Sequence, residues 1–186
     1  GDVVIKNMDQ AQAVAAFEPG VGDMVGLWAP HMFTGMGKGW KVAGDVKTAG
    51  AALPIVLMGD KKFCDKNPEI VAKFLRMYLR GINLIKKEGI KLLPEYKRFY
   101  KEWAGMDLND AMLKSDFEWH PVFQYDEQLK LFKKPAKGDS TVEAWQRSIT
   151  ESFTTLGRFK PEERDKALKT PYITDKFLKM VKQPIP

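Results

Sequence analysis

The chain has 186 residues, of which 44% are hydrophobic and 29% charged, so it can form a packed core and is not expected to be disordered. No run of about 18 apolar residues occurs, so hydropathy predicts no membrane-spanning helix. The formal net charge is +6, but acidic and basic residues alternate, as in residues 160–169. This mixture is typical of a solvated helical face and argues against a nucleic-acid-binding stripe.

The first 28 residues have the pattern of a strand, a helix and a second strand. Val3–Ile5 is a β-branched run, Met8–Phe17 has apolar residues at helical spacing, and Asp23–Trp28 is predicted to be the second strand. This βαβ order implies a parallel pair of strands joined by a right-handed crossover. Further strands are predicted at Trp40–Val46 and at Leu53–Met58, and the latter has the continuous apolar character of a fully buried strand.

The remainder of the chain is predicted to be helical. A long helix is expected after Asn67, the predicted N-cap, with Pro68 at its first position and Gly89 as its stop. Its apolar stripe is predicted to comprise Val71, Phe74, Leu75, Tyr78, Ile82 and Ile85. Ser140 and Glu143 have capping-box spacing, and Trp145, Ile149 and Phe153 follow as a predicted core stripe. The other predicted helices are 92–103, 108–113, 126–132, 161–168 and 174–181.

Five segments of the chain follow the order found in a known family. These segments are Ile5–Phe17, Gly20–Val25, Leu27–His31, Ala52–Leu57, and Phe63 with Asn67–Arg76. Together they resemble the periplasmic binding proteins for sulfonates, taurine and nitrate, a group that includes thiamine-precursor-binding domains. The resemblance implies an α/β fold, partial and like the type II periplasmic binding proteins, and an ABC transporter permease as partner. It also implies a periplasmic location and no nucleic-acid partner.

The resemblance also implies how the chain is divided. Residues 1–50 correspond to the C-terminal part of the second α/β lobe, which contains the βαβ unit. Residues 51–186 correspond to the hinge return and the helical C-terminal part of the first lobe. The chain is therefore expected to be a fragment that begins inside the second lobe. Strand edges left without neighbours would favour a homodimer.

The resemblance implies a ligand pocket on two loops and a small anionic solute, of the sulfonate, taurine or nitrate kind, as its ligand. On the first loop, Asn7, Asp9 and Gln10 precede a helix whose free N–H groups can bind an anion, although Asn7 or Asp9 can also act simply as its N-cap. On the second loop, Trp28 is predicted to form a wall of the pocket and His31 to donate a hydrogen bond to an oxyanion.

Each of these assignments has a structural alternative. Trp28 is alternatively a core residue, and His31 an ordinary surface histidine. Ala51, near the predicted hinge, is expected to approach the ligand through its backbone.

No catalytic motif accompanies these loops. The sequence contains no G-x-S-x-G, C-x-x-C, H-E-x-x-H or P-loop pattern, and Cys64 is the only cysteine. We therefore predict a binding protein that is not an enzyme and that uses no cofactor or metal. Two rival hypotheses are an enzyme of thiamine-precursor synthesis on the same fold and a helical interaction module.

Overall fold

The computed structural model of the protein describes residues 3–170 and 172–185. Helices account for 57% of those residues, and no strand is present among them. The prediction of an α/β fold of the type II periplasmic binding kind is therefore wrong. The four predicted strands are irregular or turn segments instead.

The predicted strands are missing because the segments have no neighbour to pair with. A strand is stable only when the N–H and C=O groups of an adjacent chain complete its hydrogen bonds. The side chains of Val3–Ile5 and Leu53–Met58 are exposed. The backbone of residues 52–59 makes no hydrogen bond to the rest of the described chain. The βαβ unit thus retains its helix and loses its parallel pair.

Three short helices precede the long one. Helix α1 (Gln10–Phe17) begins at the N-cap residue Asp9, whose carboxylate accepts a hydrogen bond from the Gln12 N–H. Helices α2 (His31–Gly37) and α3 (Lys61–Lys66) lie where no helix was predicted. The carboxylate of Asp60 caps α3 by accepting from the Phe63 N–H.

Helix α4 (Pro68–Glu88) confirms the predicted long helix, and Gly89, with φ of 55°, ends it. Asn67 does not cap α4 through its side chain, because its amide donates to the Phe63 carbonyl at the end of α3. The predicted stripe is only partly correct. Ile82 is buried as predicted, Ala72 and Leu79 are buried although they were not predicted, and Phe74 and Tyr78 are exposed.

A 3₁₀ turn (Gly89–Leu92) leads from α4 into the remaining helices. These are α5 (Leu93–Ala104), α6 (Asp110–Trp119), α7 (Tyr125–Phe132), α8 (Thr141–Thr155), α9 (Pro161–Lys169) and α10 (Lys176–Lys179). The predicted capping box of α8 is present, because Ser140 and Glu143 bond reciprocally at its start. The predicted core stripe of α8 is only partly correct, since Phe153 is exposed.

Two small hydrophobic clusters hold the helices together. In the first, Phe33 of α2 packs with Leu108 and with Leu113 of α6, and this cluster joins residues from both predicted parts of the chain. In the second, Leu79 of α4 packs against Leu178 and Val181 at the end of the chain. No helix in the described ranges is both long enough and apolar enough to cross a membrane.

Candidate functional site

The side chain of Gln10 joins the two loops predicted to carry the ligand. Its Oε1 accepts a 2.9 Å hydrogen bond from the Trp28 N–H, and its Nε2 donates a 3.3 Å bond to the Gly26 carbonyl. An adjacent parallel strand would occupy the same two backbone groups, one on each side of Leu27. The Gln10 amide therefore does locally what a neighbouring strand would do, and it fixes the backbone of residues 26–28 beside the start of α1.

Trp28 and His31 lie at the outer end of this loop. The Trp28 side chain is 67% exposed, which contradicts the alternative that it is a core residue. His31 is the first residue of α2 and is half-buried. The Met32 N–H donates to the Trp28 carbonyl at 3.0 Å, so the loop and the first turn of α2 form one local unit. Of the two side chains, Trp28 thus offers an exposed aromatic ring at the surface.

Asp9 and Asn7 stand on the other side of the Gln10 contact, and both are exposed. Capping of α1 by Asp9 is observed, with Asp9 Oδ1 2.9 Å from the Gln12 nitrogen. This carboxylate already occupies the positive end of the helix, so an anion bound there would meet a negative charge. A cationic group of a ligand would be favoured beside Asp9 and an anionic group disfavoured there.

The backbone N–H of Ala51, predicted to approach a ligand, bonds within a turn instead. It is exposed, and its N–H donates to the Val46 carbonyl at 2.9 Å within the turn of residues 45–51. Because this donor is already engaged, the Ala51 N–H is not free to bind a ligand.

Helix α2 is anchored from two sides. Phe33 is fully buried and stacks on Trp119 of α6, with ring centroids 6.2 Å apart. On the other side, the Trp40 ring packs edge-on against Phe17 of α1, with ring centroids 4.8 Å apart. A Cβ at Gly35 would lie 2.5 Å from Trp40, so only glycine allows the indole to pack this closely against α2. These contacts hold the loop of Trp28 and His31 against the α5–α6 pair.

A buried polar group between α5 and α6 was not among the predicted site residues. Asp116 is only 3% exposed, and its Oδ2 accepts a 2.7 Å bond from the Tyr100 hydroxyl. The Nδ1 of His120 lies 3.0 Å from Asp116 Oδ1 and 2.8 Å from the Asp116 carbonyl oxygen. Because a proton on Nδ1 can serve only one acceptor well, the bond to the carbonyl leaves Oδ1 without a full partner.

Burial beside Asp116 raises the pKa of two tyrosines of α5. Burial, with the hydrogen bond to Asp116 and its negative charge, raises the pKa of Tyr100 well above its ordinary value. Burial also raises the pKa of Tyr96, and the charge of Asp116 adds to that effect. The spacing of four residues between Asp116 and His120 is the only signal in the sequence that could have indicated the contact.

An open cavity of about 310 Å³ lies away from the predicted site. It is lined by Lys130, Lys133, Lys134, Pro135, Asp139 and Thr141. Lys134 pairs with Glu143 at 2.8 Å, and Asp139 pairs with Arg147 at the same distance. None of the predicted site residues lines this cavity.

No group of three or more His, Cys, Asp or Glu side chains is placed to hold a metal ion within residues 3–170 and 172–185. No family model, curated protein or solved structure matches the chain. The functional proposal for this chain therefore rests on its own residues, their geometry and the sequence resemblance described above.

Proposed function

We propose that this chain belongs to the solute-binding component of an ABC importer, works in the periplasm, and binds a small taurine-like solute beside Trp28 and His31. The single observation that carries the proposal is the Gln10 contact. Gln10 bonds to Gly26 and to Trp28, which lie 16 and 18 residues further along the chain. These are the two loops that the resemblance to sulfonate- and taurine-binding proteins assigns to the ligand.

The charges at the site support a ligand with two different ends. Asp9 offers an exposed carboxylate, which suits an ammonium group. His31 offers an imidazole donor, which suits a sulfonate oxygen. The exposed ring of Trp28 can cover the short apolar link between them. Among the expected solutes, taurine has this chemistry, whereas nitrate and simple alkanesulfonates lack the ammonium group.

Isothermal titration with taurine, ethanesulfonate and nitrate tests the proposal. We expect taurine to bind most tightly, and Asp9→Asn to weaken taurine about tenfold while leaving ethanesulfonate unchanged, because a single charge-assisted contact is removed. Asparagine is as good an N-cap as aspartate, so this substitution changes the charge and keeps the helix start. Gln12→Asn, on the outer face of α1, is the matched control.

Failure of all three solutes to bind would contradict the proposal. Taurine binding that is unchanged by both Asp9→Asn and His31→Asn would place the ligand elsewhere on the chain. The importer role has its own test, because genes for a permease and an ATPase should adjoin this one. Deleting this gene should then abolish uptake of labelled taurine, and unchanged uptake would count against the role.

A further inference from the structure

Helix α4 carries an exposed apolar stripe on the side opposite its core contacts. Ala72, Leu79 and Ile82 are buried on the inner side, where Leu79 packs against the end of the chain. The outer stripe follows positions separated alternately by four and three residues, and its four side chains are between 49% and 61% exposed: Ile70, Phe74, Met77, Gly81 and Leu84. This is the heptad spacing with which one helix packs along another.

Basic residues border the outer stripe along one edge only. That edge carries Lys73, Arg80 and Lys87. The other edge carries Val71, Tyr78 and Ile85. Among the described residues, the ion pairs of α4 involve Lys86, Lys87 and Glu88, and none involves Lys73 or Arg80. Two cations therefore stand beside the apolar stripe without a counter-charge from the chain itself.

A second copy of α4 would not supply that counter-charge. In an antiparallel pair of helices, like edges of the two stripes face each other, so the basic row of one copy would meet the basic row of the other. In a parallel pair, each basic row would face Val71, Tyr78 and Ile85 of the second copy, which carry no acid. The charges therefore favour a partner of different sequence, with acidic side chains along the edge that faces Lys73 and Arg80.

The outer stripe suits a facing helix better than a lipid surface. A lipid surface favours a continuous row of bulky side chains, whereas Gly81 interrupts this row and has open space where its Cβ would lie. A gap of this kind can receive a side chain from a facing helix. From Ile70 to Leu84 the outer stripe is about 21 Å long, which matches two heptads of a partner helix.

We propose that the outer stripe of α4 is a docking surface for an acidic amphipathic helix of another protein. The apolar seam of the partner covers the outer stripe, and its carboxylates pair with Lys73 and Arg80. The surface lies on α4 and not on the two loops of the proposed solute site. Either proposal can therefore fail without the other.

Two synthetic peptides of three heptads test the docking surface. Both carry Leu at the a and d positions, one has Glu at every e and g position, and the other has Lys there. Like charges at these positions oppose pairing of each peptide with itself. We expect the Glu peptide to bind the whole chain in a titration followed by fluorescence anisotropy. The Lys peptide should bind about tenfold more weakly or not at all, because it meets the basic row with like charges.

Variants of the chain separate the apolar contact from the charges. Met77→Asp should abolish binding of the Glu peptide, and because Met77 is exposed, its replacement breaks no core contact. Lys73→Glu combined with Arg80→Glu should reverse the preference, so that the Lys peptide binds more tightly. Lys101→Glu combined with Lys114→Glu, at exposed positions of α5 and α6, changes the net charge equally and should leave the preference as it is.

Reversal of the preference is a gain of binding that a misfolded variant cannot produce. No binding of either peptide, equal binding of both, binding that survives Met77→Asp, or a preference that the charge reversal leaves unchanged would overturn the proposal. Two other occupants would overturn it as well. Self-association of the chain that is lost in Met77→Asp would assign the outer stripe to a second copy. Binding to phosphatidylserine vesicles without binding of the Glu peptide would assign it to a membrane.

Discussion

The side-chain oxygen of Gln10 accepts a 2.9 Å hydrogen bond from the backbone N–H of Trp28. The same amide donates to the Gly26 carbonyl, so one side chain bonds two backbone groups of residues 26–28. This contact positions the loop on which the proposed solute site depends. Removing it should loosen the loop without disturbing the hydrophobic clusters, which Gln10 does not contact.

Gln10→Ala is expected to lower the free energy of unfolding by about 0.5–1.5 kcal/mol, because two exposed backbone groups return to water. Amide exchange at Trp28 should accelerate. Gln12→Ala, at an exposed position two residues on, is the control and should change neither quantity. Unchanged exchange at Trp28 in Gln10→Ala would show that the amide does not hold the loop.

Gly35→Ala is expected to destabilise the protein by about 1–3 kcal/mol, because the new methyl group must displace the Trp40 ring that packs against Gly35. Gly81→Ala is the matched control. Gly81 lies inside α4 and has open space where its Cβ would be, so alanine there should stabilise by about 0.5–1 kcal/mol. Urea unfolding of both variants checks the pair, and two changes of the same sign would contradict the account of Trp40.

Tyr100→Phe is expected to cost about 1–3 kcal/mol at neutral pH, because the buried carboxylate of Asp116 loses its hydrogen-bond donor. The raised pKa also fixes the direction in which alkaline pH changes the stability. The raised pKa of Tyr100 means that its contribution is full below the ordinary tyrosine pKa of 10.0 and is lost as the pH rises above it.

The stability of the wild type should therefore fall more steeply above pH 10 than that of Tyr100→Phe. Thermal unfolding measured from neutral to alkaline pH checks this, and parallel curves would contradict it. Tyr172→Phe, at an exposed tyrosine, is the control.

Glu143→Gln tests how the stability of the protein changes at acid pH. Its ion pair with Lys134, and then the N–H and hydroxyl of Ser140, lower the pKa of Glu143 from its ordinary 4.5 to about 2. A lowered pKa gives stability that is present above pH 4.5 and lost as the pH falls toward 2. The midpoint of thermal unfolding should therefore drop more for the wild type than for Glu143→Gln between pH 6 and about pH 3. Equal drops would indicate that the carboxylate adds nothing to the start of α8.

Most of the helices could be predicted because their signals are local. The spacing of Ser140 and Glu143 and the stop at Gly89 each act within a turn or two of chain, and both occur as predicted. The short helices α2 and α3 could not be predicted from apolar spacing, because each has fewer than eight residues. Helix α2 depends instead on the burial of Phe33 against α6, a distant part of the chain.

The strands were wrongly predicted, and the burial of Asp116 was missed, for a related reason. The composition of residues 53–58 predicts a buried strand, but a strand also requires neighbours, which composition does not supply. Asp116 carries no mark of burial in its own segment, and only the packing of α5 on α6 encloses it. The predicted site stays a prediction, and the contact between its two loops depends on the Gln10 side chain, which no local pattern indicates.

The most direct test of the solute site is a ¹H–¹⁵N spectrum of the wild type recorded during a taurine titration. We predict saturable shifts of the Trp28 indole and backbone signals and of the His31 amide, with the exposed Trp103 indole of α5 unmoved. The shifts at Trp28 and His31 should be lost in Gln10→Ala and weakened in Asp9→Asn. Saturable binding that leaves the signals of Trp28 and His31 unchanged, or no binding at all, would contradict the proposed site.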